Sequence, residues 1–325
     1  MITFLILCAV SFILIILLTP LFIRIGRMLN LTGVDIHKPH KPIIPKTGGP
    51  ALVISVMASI TMYLIIQGFS TEVLALIISS LIAALIGFLE DLKGEVNPKI
   101  KPLLLVFAGI PILALSVYNP RPVLPFIGVT RLTKIYPILV LASYPVVCNA
   151  VNSIDVLNGS VSFTSIAFFT AILAVSIING LEYPLMISLV MLATLAGFAL
   201  YNRYPSRIFA GNSGSLFIGA VMASTAIIWR IEVVAIIALL PHIMNEMHVI
   251  FSMRGLKSAK QHNSRPILVE EGWITANPDP NAPLTLVRML SAKVKVREDI
   301  LVRSISILSL YSAFLAVLTS ILFMR

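Results

Sequence analysis

Runs of seventeen or more mostly apolar residues recur along this 325-residue chain. Each can cross the roughly 30 Å of hydrocarbon in a bilayer. Hydrophobic residues make up 58% of the chain, above the about 45–50% of soluble domains. The chain therefore reads as all-α, a polytopic integral membrane protein. Ten spans are expected, at 2–23, 50–68, 72–89, 102–118, 133–150, 161–179, 183–201, 214–230, 232–252 and 301–323. The first lacks a positive n-region and a small-residue cleavage site, so it reads as a span and not a cleaved signal. No internal repeat is evident. The expectation is one transmembrane domain over 1–325, with an extended cytoplasmic loop at 255–300.

Charge sets the orientation. The net charge is +10, which in a bilayer protein points to basic cytoplasmic loops and not to nucleic acid. Nineteen Lys and Arg residues follow spans one, three, seven and nine, against five on the opposite side. Both termini are therefore expected to be extracytoplasmic. Cys8 and Cys148 both sit in apolar runs and imply no disulfide framework. In the last loop, "NPDPNAP" (277–283) cannot be helical, because proline lacks the amide donor and clashes with the preceding turn.

The unusual polar residues gather in the loops of one side. They are "HKPHKPIIPKTGGP" (37–50), "GFLEDLKGEVNPKIK" (87–101), "CNAVNSIDVLNGS" (148–160), "YPSRIFAGNSGSLFIG" (204–219) and "KQHNSRP" (260–266). Taken singly, the glycines and asparagines are ordinary loop residues, and the lysines could do no more than set topology. Asp155 is harder to treat so, because an ionisable residue in a nearly apolar stretch is costly and usually functional. Together the residues suit phosphate chemistry with a hard cation, which takes oxygen ligands shared with waters and phosphates. The N-terminus of the helix opened by "AGNSGS" is expected to favour a phosphate. Lys101, His262 and Arg265 would offset a diphosphate's charge.

So assembled, the chain resembles the polyprenyl-phosphate N-acetylhexosamine-1-phosphate transferases. "PKTGGPAL" is similar to the family's Pro-x-x-Gly-Gly pattern, and "GFLEDLKG" stands where it has paired aspartates. "NAVNSIDVLNG" and "FAGNSGSLFIG" match two further motifs, and "HNSRP" the basic motif of the last loop. That last loop and "SAKVKVREDILVRSISILSL" resemble the dolichol-type branch, while Asp155 resembles the bacterial one.

The resemblance implies transfer of GlcNAc-1-phosphate from UDP-GlcNAc to a polyprenyl or dolichyl phosphate, releasing UMP, for N-glycan assembly, or the same reaction with another UDP-N-acetylhexosamine for a cell-surface polymer. It implies a magnesium ion, with manganese as a substitute, held by Asn152, Asn212 and Asp155. Glu90, Asp91, Lys101 and Asp155 are then the catalytic set. Glu90 or Asp91 would complete deprotonation of the acceptor, or hold the metal and orient it; Lys101 would face a phosphate. Lys46, Val156, Asn158, Phe209, His262 and Arg265 are the implied substrate-binding residues. Val156, Asn158 and Phe209 belong to the nucleoside pocket, and His262 and Arg265 to sugar and diphosphate. A homodimer is a further expectation. Glu90 replaces the first aspartate of the family pair, Val156 a glycine, and Asn212 a metal-binding aspartate. Restoring aspartate at 212 is expected to tighten the cation.

The rival reading is a secondary transporter, whose binding groups would lie near mid-bilayer on broken helices. His242, Asn245, Glu246 and His248 in span nine suit it. His242 and Glu246, one turn apart, are expected to form a buried polar pair.

Overall fold

The computed structural model describes residues 2–94, 97–255 and 264–323. Among these, eight helices are long and apolar enough to cross a membrane. They are α1 (Ile2–Met28), α2 (Gly48–Gln67), α3 (Thr71–Lys93), α6 (Tyr136–Ile154), α7 (Ser160–Asn179), α8 (Glu182–Asn202), α9 (Gly211–Ile228) and α13 (Glu298–Phe323). The protein is a helical, multi-pass membrane protein.

The two remaining expected spans are helical but broken, each at a proline. Ile100–Ala114 is a shorter apolar helix, with α4 (Ile100–Val106) and α5 (Ile110–Ala114) joined through a 3-10 turn at Phe107–Gly109. Pro111 lacks an amide and its ring would strike the Phe107 carbonyl, so the regular ladder cannot pass. Span nine divides into α10 (Glu232–Ala238) and α11 (Leu240–Ser252), bent by 68°. Pro241 stands second in α11 and would strike the Ile237 carbonyl in a straight helix.

At the centre stands α9, buried at every residue from Ser213 to Ile228 and packed among α2, α3 and α6. Glycines allow this approach. A Cβ at Gly87 of α3 would collide with the Asn212 backbone, and one at Gly219 would lie 2.7 Å from Cys148 Cα. The Gly87 crossing also brings the next turn of α3, which carries Asp91, to the start of α9.

Three small sheets depart from the all-α expectation. In loop one, β1 (Thr32–Val34) pairs with β2 (Ile43–Pro45). Between α5 and α6, β3 (Val123–Leu124) pairs with β4 (Gly128–Val129). The last loop folds as β5 (Ile267–Glu270), β6 (Trp273–Ala276) and β7 (Val296–Arg297), with α12 (Leu286–Leu290) before β7. Glu271 and Gly272 both take positive φ between β5 and β6, as a two-residue hairpin of right-handed twist requires. "NPDPNAP" is non-helical as expected. A second core of Ile154, Leu157, Ile267, Ile274, Val287, Leu301 and Ile305 fixes this sheet to the end of α6 and the start of α13.

Candidate active site

The described residues of the five polar loops converge at one end of the bundle, around a cavity of about 1210 Å³. Its wall includes Lys46, Asp91, Asn152, Asp155, Val156, Asn158, Phe209, Asn212 and Arg265. Arg265 is exposed at the rim. Glu90 and Lys101 are absent from that wall. They lie behind it, both buried, with Lys101 Nζ 2.8 Å from Glu90 Oε2. Lys101 opens instead on a smaller cavity of about 100 Å³, beside Asn149 and Glu246. Val249 and Met253 of the α11 region line both spaces. His262 lies outside the described residues.

Asp91 sits in the last turn of α3 and caps α9. Its Oδ1 accepts the Asn212 amide at 2.9 Å and Asn212 Nδ2 at 3.1 Å. Its Oδ2 accepts the Ser213 amide at 2.9 Å and Ser213 Oγ at 2.8 Å. The expectation that this helix start awaits a phosphate is therefore corrected: two of its free amides are already taken, and Asp91's negative charge already faces the helix dipole.

Asn212 is bonded at both ends. Its Oδ1 accepts Lys101 Nζ at 3.2 Å and Asn152 Nδ2 at 2.9 Å. Asn152 Nδ2 also reaches Ser215 Oγ at 2.8 Å, and its Oδ1 accepts Lys101 Nζ at 3.3 Å. Lys101 thus pairs with a carboxylate and two amides, where sequence reading had it facing a phosphate. Asp155 follows α6 directly and lines the cavity. Surrounding protein and the charge of Asp91 push its carboxyl up to about 7, because both disfavour the ionised form.

A hard cation suits this donor set in part. Asn152 and Asn212 offer two amide oxygens already aimed at one ammonium, and Asp155 offers a carboxylate on the same cavity. The set carries little charge of its own. It fits a cation whose remaining ligands are phosphate oxygens and water.

Sequence reading missed a second cluster. Lys38 Nζ bonds Asp35, Asn158 Oδ1 at 2.6 Å and Glu298 Oε2 at 3.1 Å. The Asn158 amide N–H reaches Glu298 Oε1 at 2.7 Å, and Asn158 Nδ2 reaches Asp35 Oδ2 at 3.1 Å. The Ser206 amide donates to Asn158 Oδ1 at 2.7 Å. Asn158, assigned to a nucleoside by resemblance, is thus bonded inside the protein and buried. The cluster ties loop one, the turn after α6, the stretch before α9 and the start of α13. Asp35, His37 and Glu298 stand close enough to share an ion, but the Lys38 ammonium already binds both carboxylates. The cue was "HKPH": charged residues in a stretch too proline-rich for a helix. His37 lies on the large cavity's wall, and burial lowers its pKa to about 4.

On the broken helix the four polar residues are separately placed, and His242 Nδ1 and His248 Nδ1 are buried without a hydrogen-bond partner among the described residues. His242 is buried and meets Thr164 Oγ1 at 3.0 Å through Nε2, so the expected His242–Glu246 pair is corrected. Asn245 Nδ2 donates to the Ser153 carbonyl at 3.1 Å, and its Oδ1 accepts the Leu286 amide at 2.9 Å. Glu246 faces the small cavity.

Fold and site together define a multi-pass membrane protein with a large cavity, lined by polar and apolar side chains, at the end of its helical bundle. Residues 73–230, from α3 through α9, match the description Glycosyl transferase family 4. That stretch of the chain is similar to the family. A Sulfolobus acidocaldarius protein is 26% identical over 302 residues, covering 90% of this chain and 89% of the relative. One from Saccharolobus solfataricus is 29% identical over 239 residues, 72% and 74% of the two chains. Both are provisionally named UDP-N-acetylglucosamine–dolichyl-phosphate N-acetylglucosaminephosphotransferase. A Bacillus subtilis protein, provisionally named an undecaprenyl-phosphate N-acetylglucosaminyl 1-phosphate transferase, is 31% identical over 222 residues, 65% and 58% of the chains.

Proposed function

We propose that the protein transfers N-acetylglucosamine 1-phosphate from UDP-GlcNAc to a polyprenyl phosphate of the dolichyl type, releasing UMP. This is the first step of building a lipid-linked oligosaccharide for N-glycosylation. The observation that carries the reading is the arrangement of two cavities with Lys101 behind one and opening on the other. The large one accommodates a nucleotide sugar, and the small one lies where an acceptor phosphate would meet the same ammonium. The names of the two archaeal relatives support this choice of donor and acceptor.

An oxygen of the lipid phosphate attacks the β-phosphorus, and the bond to the α-phosphate oxygen breaks. UMP leaves with that oxygen. A phosphomonoester's second pKa is about 6, so the acceptor is mostly ionised and no strong base is needed. Catalysis is then positioning and charge neutralisation. Lys101, paired with Glu90 in the structure, neutralises the oxygens in flight. Asp91 acts by fixing Asn212 and the start of α9. Phe209 and Val156 hold the nucleoside beside Asn158. Lys46, Arg265 and His262 receive diphosphate and sugar. Asn152, Asn212 and Asp155 would hold a divalent cation, magnesium or manganese, which would supply charge to polarise the diphosphate. The cavity faces the cytoplasm, with both termini outside, and the chain works as one transmembrane domain.

The test is a radiolabelled transfer assay on purified protein, pairing several UDP-sugars with dolichyl and undecaprenyl phosphate. UMP release that requires both UDP-GlcNAc and polyprenyl phosphate is expected. Nucleotide-sugar uptake without lipid product would sink the proposal.

A further inference from the structure

An amide oxygen has two lone pairs. Those of Asn212 Oδ1 are both used, one by Lys101 Nζ at 3.2 Å and the other by Asn152 Nδ2 at 2.9 Å. The charges around Asn212 set this orientation. Turned over, its carbonyl would face the Asp91 carboxylate and its NH₂ the Lys101 ammonium, and both contacts would repel. For Asn212 Oδ1 to ligate a metal, one of its two donors has to leave. Asn152 Nδ2 is also held by Ser215 Oγ at 2.8 Å, on a short side chain fixed to α6. Lys101 has a four-carbon stem and opens on the small cavity, beside Asn149 and Glu246. It is the donor with somewhere to go.

We propose that the Lys101 ammonium and a divalent cation contend for the same two amide oxygens, those of Asn152 and Asn212. When the cation arrives, Lys101 swings into the small cavity towards Glu246. The inference rests on the phosphotransfer reading above and extends it. Lys101 Nζ stands where the two amide oxygens converge. Cation binding in the large cavity then delivers a positive charge to the small one, where an acceptor phosphate would enter.

Two measurements on substrate-free protein test this, so their failure is distinct from a failure of transfer. Mn²⁺ alone is titrated by paramagnetic resonance against wild type and Lys101→Met. The variant is expected to bind it at least about tenfold more tightly, since removing the ammonium frees both oxygens. Loss of charge alone would also tighten binding without any movement. The second measurement therefore follows acetylation of each lysine in wild type by mass spectrometry, with and without Mn²⁺. Lys101 is expected to react faster with the ion present, because it has left Glu90 and the amides for the small cavity. Equal or weaker Mn²⁺ binding by a folded Lys101→Met protein, or none by either protein, overturns the proposal. So does Lys101 acetylation that Mn²⁺ slows or leaves unchanged. The labelling result decides alone if the variant does not fold.

Discussion

Two buried lysines stand near the cavity, and they are held differently. Lys38 lies between two carboxylates, Asp35 and Glu298, with Asn158 completing its shell. Lys101 has one carboxylate, Glu90, and two neutral amide oxygens. The first ammonium is over-compensated and sealed, joining four distant segments. The second is just balanced and has a cavity at its side. Coulomb attraction scales with charge, so two carboxylates grip far harder than a carboxylate and two dipoles. The difference separates a lysine that holds the fold from one that can move during a reaction.

The largest effect should come from breaking the tighter cluster. Lys38→Met leaves Asp35 and Glu298 buried and unpaired, and losing one partner of a buried pair costs about 3–5 kcal/mol. Thermal unfolding in detergent should show a drop of many degrees. A variant as stable as wild type would mean the cluster is not what joins loop one to α13. Lys101→Met also leaves a buried carboxylate, Glu90, unpaired, but only one against two. Its stability should therefore fall less than that of Lys38→Met, while transfer falls by about a hundredfold or more, as when a charge-stabilising donor is removed. A variant keeping half the wild-type rate would take Lys101 out of the chemistry.

Asn212→Asp comes next, and the structure turns the sequence-based expectation around. The new carboxylate would replace the Nδ2 donor that lies 3.1 Å from Asp91 Oδ1, and two carboxylates at that spacing repel. Transfer should fall about tenfold, close to 1.4 kcal/mol, with cation affinity no tighter than wild type. A gain in both would show that Asp91 moves aside. The smallest effect is expected at His37. Burial lowers its pKa from 6.5 to about 4, so the folded protein favours the neutral ring. That preference costs nothing above pH 6.5, grows as pH falls towards 4, and is constant below. His37→Gln should therefore lose less stability than wild type between pH 6.5 and 4. Parallel curves would mean His37 is solvated there.

The positions of the spans were legible in the sequence, including the two that are broken. Both were expected as continuous helices; Pro111 and Pro241 explain their breaks, and the 68° bend depends on what α11 packs against. The three-stranded sheet was written locally as two apolar runs around Glu271–Gly272, yet it passed as loop beside much stronger helical signals. Most proposed site residues do reach one cavity. Their present partners were not readable. Asp91 looked like a reacting carboxylate and is a helix cap; Asn158 looked like a ligand contact and is bonded to Asp35, Lys38 and Ser206.

By itself the sequence determined a membrane protein with its chemistry gathered at one end. Burial of an apolar run in lipid is decided by that run's own length and composition, and loop charge by simple counting. Only the tertiary structure decided which polar atoms are already spent. Asp91 and Asn212 are 121 residues apart and meet at 3.1 Å because Gly87 lets α3 press against α9. Hydrogen-bond saturation is settled over tenths of an ångström between distant segments, and no local pattern in the chain encodes that distance.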